Sequence, residues 1–178
     1  MVEKNTFLLT TARGAEDSGG SEMYMLLTEF GDSRAKITRT GVSGVLLVET
    51  ELLHQDVIEF LKKMMEFEPF RIRSMLRLIP VEKIVDLDLE MIKDEVKPLM
   101  EKIGPEESFR ITIEKRHSEL SRGELIEAIA STTNRKVNLD NPDWVVLVEV
   151  IRDTVGLSVV RPSQIVSVVK VKRGDAQL

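Results

Sequence analysis

The sequence predicts an α/β protein built from two compact units. Short apolar, β-branched runs alternate with segments in which apolar residues recur every three or four positions, and these are the periods of strands and helices. The pattern restarts after Pro80, and 178 residues suffice for two small domains. We therefore predict a first domain over residues 1–82 and a second domain over residues 83–178, which includes a short carboxyl-terminal tail.

The first unit has the predicted order β-α-β-β-α-β. Strands are expected over residues 7–11, 34–40, 44–50 and 72–79, and amphipathic helices over residues 18–30 and 54–67. The glycines at both ends of Gly41-Val42-Ser43-Gly44 predict a hairpin between the two middle strands, and Pro69 ends the second helix. This order is the split β-α-β arrangement of ferredoxin-like folds.

The second unit is predicted to hold two helices and at least three strands. Asp88 is a candidate N-cap for a helix that runs to Gly104, with Pro98 expected to kink or split it. Ser121 and Glu124 have the spacing of a capping box at the start of the next helix. Strands are expected over residues 108–115, 144–151, 157–160 and 164–171, of which 144–151 is central and 164–171 lies at an edge.

Composition excludes several classes of protein. The chain has no cysteine, which rules out disulfides, zinc fingers and thiol nucleophiles, and it has only two histidines. No apolar run approaches the roughly 18 residues of a membrane span, and the amino terminus lacks the layout of a signal peptide. We therefore expect a cytoplasmic protein without membrane contact.

No catalytic motif stands out. The glycines between Gly14 and Gly20 fit neither the dinucleotide-binding motif nor the P-loop. Neither His54 nor His117 has serine and acidic partners in a recognisable triad. The carboxylates of residues 86–90 could in principle hold magnesium, but acidic residues at a helix start explain them more simply.

Charge is segregated along the chain, although the net charge is only -5. Residues 86–107 carry eight acidic side chains against three lysines, whereas residues 69–80 and 161–173 carry cations without any acid. A third basic segment, Lys115 to Arg122, leaves a predicted strand and enters a capped helix, whose free amides favour phosphate. Such local basic surfaces bind polyanions despite the net charge, and solvated surface loops are the alternative interpretation.

The second half contains four consecutive features. They are the run FRITIEKR over residues 109–116, the helix over residues 122–130, the element KVNLDNPD over residues 136–143, and the strand WVVLVEVI over residues 144–151. Together these features resemble the THUMP domain, a tRNA-binding module of RNA-modifying enzymes. Upstream, Arg13-Gly14-Ala15-Glu16 and the ferredoxin-like unit resemble the domain that often precedes THUMP.

The resemblance implies a set of RNA-binding residues. The basic positions of the family align with Lys115, Arg116, His117 and Arg122, and Arg135 and Lys136 are expected to join the same surface. Arg71, Arg73 and Arg77 form a candidate secondary site. Asn141 and Pro142 are expected to shape a turn, with Asn141 tying down backbone, and Trp144 is expected to belong to the core. No metal ligands or catalytic residues are implied.

The resemblance also implies a function. THUMP domains usually accompany a catalytic domain, but only 18 residues follow Val160. The expected match is therefore to stand-alone members of the family, which assist tRNA cytidine N4-acetylation. Such a protein would be a non-catalytic adaptor that needs no cofactor of its own. It would bind the acceptor end of tRNA and present it to a separate acetyltransferase that uses acetyl-CoA and ATP.

Two alternatives stay open from the sequence. One is a ferredoxin-like small-molecule-binding or regulatory dimer without an RNA role, in which exposed sheet edges pair. The other is an enzyme in its own right, which the missing nucleophile and metal patterns disfavour.

Overall fold

We describe residues 3–168 of a computed structural model of the chain. The end of the predicted last strand, at residues 169–171, and the cations Lys170, Lys172 and Arg173 lie outside this range. Among residues 3–168, no helix is both long enough and apolar enough to cross a membrane.

The first unit contains the predicted strands and helices. They are β1 (Asn5–Thr11), α1 (Glu16–Phe30), β2 (Lys36–Arg39), β3 (Val45–Thr50), α2 (His54–Phe67), a 3-10 turn (Pro69–Arg71) and β4 (Met75–Val81). The order β4-β1-β3-β2 within the sheet is that of the predicted ferredoxin-like arrangement, and β3 is antiparallel to both neighbours. Phe7 and Val48 face each other in the register of β1 and β3, and both are buried with Met23 and Leu27 of α1.

The predicted hairpin between β2 and β3 is hydrogen-bonded to the first residue of α1, Glu16. The carboxylate of Glu16 accepts hydrogen bonds from the backbone N–H of Gly44 at 2.6 Å and from the hydroxyl of Ser43 at 3.1 Å. The hydrogen bond from Gly44 is the main cause that lowers the pKa of Glu16. Gly44 has φ +76°, and a Cβ there would lie 2.7 Å from the carbonyl oxygen of Thr11, so glycine is required.

The second unit has a five-stranded sheet of its own. Its elements are β5 (Lys83–Asp86), α3 (Leu89–Met100), β6 (Ser108–Arg116), α4 (Arg122–Ala130), β7 (Lys136–Val137), β8 (Trp144–Ile151) and β9 (Thr154–Val160). The strand order is β5-β9-β8-β6-β7, so β8 is central, as predicted. β6 runs parallel to β8 and to β7, whereas β9 is antiparallel to β8. This mixed α+β architecture confirms the predicted fold class.

The caps of α3 and α4 are those that the sequence predicts. Asp88 accepts a hydrogen bond from the N–H of Met91 at 2.9 Å, and Ser121 accepts one from the N–H of Glu124 at 3.5 Å. Of the two predicted effects of Pro98, a kink or a split, the split is not seen, because α3 continues to Met100. Pro98 lies in the last turn, where its missing N–H removes only one hydrogen bond.

The carboxyl-terminal segment differs from the predicted domain division. Val166–Ser167 forms a short strand, β10, which pairs antiparallel with Leu78 and Arg77 of β4. The chain therefore folds as one unit that joins residues 1–80 to the segment from residue 163, and a second unit of residues 81–162. The sequence predicts residues 163–168 to belong with the second unit, whereas they lie at an edge of the first sheet.

Candidate nucleic-acid interface

The basic segment after β6 lies at one edge of the second sheet. Arg116 is the last residue of β6 and is paired in register with Ile151, the last residue of the parallel strand β8. His117 follows with φ +57°, and Arg152, with φ +59°, begins the turn from β8 into β9. The N–H of Arg152 donates to the carbonyl of Arg116 at 2.9 Å, which brings the two turns side by side.

Arg116 is engaged within the fold. Its guanidinium donates to the carboxylate of Glu149 at 2.6 Å, and the two side chains are 20% and 2% exposed. A buried carboxylate needs such a partner because its desolvation is costly. The positive charge of Arg116 is therefore largely balanced by Glu149, and its contact with RNA stays a prediction.

Lys115 and Arg122 supply positive charge at this edge, and His117 lies between them in the chain. The ammonium of Lys115 donates to the carbonyl of Leu120, a neutral acceptor, and forms no ion pair among the described residues. His117 is exposed. Arg122 is the first residue of α4, is exposed, and has no side-chain hydrogen bond or ion pair within residues 3–168. We call Lys115, His117, Arg122 and Arg152 the basic edge.

The amino terminus of α4 adds to the attraction for anions. The cap at Ser121 satisfies the N–H of Glu124, and the first amides of a helix have no acceptor within the helix itself. These amides and the helix dipole favour a phosphate close to Arg122. The basic edge therefore combines side-chain cations with backbone donors.

Arg135 and Lys136 do not join the basic edge. Lys136 pairs with Ser108 at the beginning of β6, seven residues before Lys115. At about 3.3 Å per residue, the strand separates these two lysines by about 23 Å. Arg135 is half-buried, and its Nε donates to the carbonyl of Ile103 at 2.9 Å. Arg135 and Lys136 therefore lie apart from the basic edge, towards the other end of β6, and their contact with RNA stays a prediction.

The turn before β8 is shaped by a different asparagine from the one predicted. The side-chain oxygen of Asn138 accepts hydrogen bonds from the N–H groups of Asp140 at 3.2 Å and Asn141 at 3.1 Å. Asn141 thus contributes its backbone, whereas Asn138 supplies the polar side chain that fixes the turn. Pro142 is buried beside it.

Trp144 is covered by charged side chains and presents no open ring for stacking. Its indole N–H donates to Glu107 at 2.7 Å, and the guanidinium of Arg161 lies 3.9 Å from the ring centroid. Arg161 also pairs with Glu107 at 2.8 Å. The hydrogen bond from Trp144, then those from Gly104 and Arg161, lower the pKa of Glu107 to about 2.

The secondary site is only partly available. Arg71 pairs with Glu29 and, at 3.4 Å, with Glu68, so its charge is balanced. Arg73 is exposed, with its Nε held by the carbonyl of Phe70 at 3.0 Å. Arg77 is half-buried on β4. These three arginines therefore do not form one uniform basic surface.

Sequence reasoning missed Arg152. It lies 36 positions beyond Arg116, and only the parallel pairing of β6 with β8 brings the two together. A usable signal was present, since Arg152-Asp153 is a two-residue connection between β8 and β9, typical of a hairpin turn at a sheet edge.

Within residues 3–168, no group of three or more side chains is arranged to hold a metal ion.

Three solved structures are similar to this chain, two of them over most of its length. The protein PH1313 of Pyrococcus horikoshii Ot3 is 14% identical, with a TM-score of 0.60 over 88% of this chain and 55% of that one. A 4-thiouridine synthetase, solved as an RNA complex with bound ATP, is 21% identical, with a TM-score of 0.55 over 89% of this chain and 42% of that one. The THUMP domain of THUMP domain-containing protein 1 is 35% identical over 42% of this chain and 88% of that one, with a TM-score of 0.37.

This chain thus spans about half the length of the larger structures that it matches. No curated protein matches it. The family model of the THUMP domain matches residues 87–160, a range that contains the basic edge and the whole of β6, α4 and β8. A THUMP domain implies RNA binding related to tRNA. Residues 87–160 of this chain therefore belong to the THUMP domain family.

Proposed function

We propose that this chain is a non-catalytic tRNA-binding adaptor that presents tRNA, held by its acceptor end, to a separate modifying enzyme. The basic edge carries the proposal, because the exposed Arg122, the half-buried Lys115 and the amino terminus of α4 occur together within the segment that matches the THUMP model. The 4-thiouridine synthetase of similar fold was solved with RNA, which supports the same class of ligand. N4-acetylcytidine formation, with acetyl-CoA and ATP used by the partner enzyme, is the proposed reaction.

Phosphate and sugar contacts should dominate the binding. Aromatic residues are only 4% of the chain, and Trp144 lies under Arg161. Contacts to the backbone fix the position of an RNA without reading its sequence. By holding the acceptor end, an adaptor of this kind fixes the distance between that end and the active site of the partner enzyme. The partner then modifies the base that lies at that distance.

The first test is binding of purified protein to total tRNA across a salt series, with tRNA trimmed at its 3′ tail alongside. We expect affinity to fall steeply with salt, because each bound phosphate releases counterions, and to weaken on trimming. Equal affinity for the trimmed tRNA would contradict the proposed hold on the acceptor end.

The site is tested with the double variant Lys115→Ala and Arg122→Ala, which leaves the Arg116–Glu149 pair intact. We expect the salt slope to decrease by about two, because each of the two cations is expected to neutralise one phosphate. Lys97→Ala is the matched control, since Lys97 is exposed in the last turn of α3 and forms no ion pair among the described residues. A double variant that binds like the parent would refute the basic edge as the RNA site.

The adaptor role needs a separate assay. The chain is mixed with tRNA, acetyl-CoA, ATP and a tRNA cytidine acetyltransferase, and acetylcytidine is measured by mass spectrometry of the digested RNA. We expect modification to require both proteins. Acetylation by the chain alone, or acetylation that is unchanged when the chain is omitted, would contradict the proposal.

A further inference from the structure

Strand β6 has an open edge along most of its length. The short strand β7 pairs only with the first two residues of β6, and the N–H of Asn138 donates to the carbonyl of Phe109 at 3.0 Å on that side. Because backbone groups alternate in direction along a strand, those of Ile111 and Ile113 must point to the same side as those of Phe109. Within the part of the chain that the structure describes, neither isoleucine forms a backbone hydrogen bond there.

One side of helix α4 lies above this open edge. Leu125 and Ile129 are buried against the sheet. Arg122 and Ile126, which are one turn apart, share a neighbouring side of the helix. Because connections between parallel strands are right-handed, this side faces β7 and not α3. Ile126 is 41% exposed there.

Two further apolar side chains continue the surface of Ile126. Val137 of β7 is paired with Phe109, which belongs to the core beneath the helices, so Val137 points to that face of the sheet. It is 54% exposed. Ile111, two residues after Phe109, is half-buried on the same face. We call Ile111, Ile126 and Val137 the apolar strip.

The charges beside the apolar strip favour a polyanion. Lys115 lies on the same face of β6, four residues beyond the strip, and Arg122 lies one turn before it on α4. Glu114 points to the opposite face of the sheet, and Glu127 is turned about 100° round the helix. Glu119, in the loop between β6 and α4, is a single carboxylate against these two cations.

We propose that the open edge and the apolar strip bind the bases of an unpaired RNA tail whose phosphates lie at Lys115 and Arg122. The inference rests on the proposed tRNA binding and adds to it a contact with the bases. Four residues of β6 separate Lys115 from Ile111, about 13 Å, which is the length of about four stacked nucleotides.

Bases suit this surface in two ways. Their flat faces are apolar enough to lie against Ile126 and Val137, and their edges carry donors and acceptors for the outward carbonyl and N–H groups of β6. A neutral peptide strand could pair with the same backbone groups, but it would leave the two cations at the end of the strip without a partner.

The test compares three RNAs that share one duplex, using the whole chain. The first has a four-nucleotide 3′ tail, the second has an abasic tail of equal length, and the third has no tail. We expect the tail with bases to bind at least tenfold more tightly than the abasic tail. Equal affinity for these two, with binding retained, would overturn the inference and leave the proposed function intact, whereas no binding of any of the three would refute both.

Variants on α4 and α3 locate the contact. Ile126→Ser should lower the ratio of the two tail affinities at least threefold, and Ile126→Trp should raise it, because an aromatic ring stacks on a base. Met91→Ser and Met91→Trp are the matched controls, since Met91 is 44% exposed on α3, and they should leave the ratio unchanged. A ratio that neither substitution of Ile126 alters would contradict the assignment.

Amide hydrogen exchange, followed by NMR, tests the open edge directly. We expect the tail with bases to slow the exchange of the amides of Ile111 and Ile113 at least tenfold relative to the abasic tail. Equal protection by both tails would assign the edge to phosphate and refute the contact with bases. Protection by a peptide of alternating valine and threonine, but not by the tail, would assign the edge to strand addition and equally overturn the inference.

Discussion

At the scale of single residues, Glu107 makes the stability of the second unit depend on pH. Its pKa is lowered to about 2 in the folded chain, first by the hydrogen bond from Trp144, from a reference value of 4.5. A carboxylate with a lowered folded pKa stabilises the protein above its unfolded pKa, and this stabilisation is lost as the pH falls. We expect the free energy of unfolding to decrease from pH 4.5 towards 2, measured by chemical denaturation with Trp144 fluorescence.

The control for this prediction is Glu107→Gln. The amide keeps a hydrogen-bond acceptor for Trp144 but does not titrate, so the part of the pH dependence that belongs to Glu107 should disappear. If the variant and the parent lose stability in parallel between pH 4.5 and 2, other carboxylates are responsible.

Arg116 and Arg122 are six positions apart and should respond differently to substitution. Arg116→Leu removes the guanidinium that lies 2.6 Å from the buried carboxylate of Glu149, and we expect it to cost about 3 kcal/mol of unfolding free energy. Arg122→Leu changes an exposed residue and should cost under about 0.5 kcal/mol. Urea denaturation measures both values. Equal stability of the two variants would contradict the role given to Arg116.

At the scale of elements, the hairpin between β2 and β3 depends on close backbone approach at Gly44. Gly44→Ala combines an unfavourable φ of +76° with a Cβ only 2.7 Å from the carbonyl of Thr11, and we expect a loss of about 3 kcal/mol. Gly14→Ala is the matched control, because Gly14 has φ +82° but nothing within 4 Å of its Cβ position. Its cost should be about 1 kcal/mol. Thermal unfolding of both variants checks the difference.

The long elements could be predicted because their periods are strong. The helix over residues 54–67 has the predicted bounds, and β8 is buried on both faces, as its uniform apolar run indicates. β5 and β7 were missed because four and two residues are too short to show a period. The separation of Lys136 from the basic edge could not be predicted either, because it depends on the parallel pairing of Lys136 with Ser108.

At the scale of the whole molecule, the first unit is made from two separate stretches of the chain. Removing residues 163–178 deletes β10, the partner of Leu78 and Arg77 on β4. We expect hydrogen exchange of the β4 amides to accelerate at least tenfold, while those of β8 in the second unit keep their protection. A chain that ends at Val168 retains β10 and is the reference. Accelerated exchange in β8 but not in β4 would contradict this division.

The return of the chain to β4 has a consequence for synthesis on the ribosome. The first sheet cannot receive β10 until residues 81–162 have been made and have left the exit tunnel. At about 5–20 residues per second, the gap between the completion of β4 and the arrival of β10 lasts several seconds. Throughout that time β4 has an uncovered side on which unrelated nascent strands can pair, so a chaperone that shields sheet edges would protect this protein most during that interval.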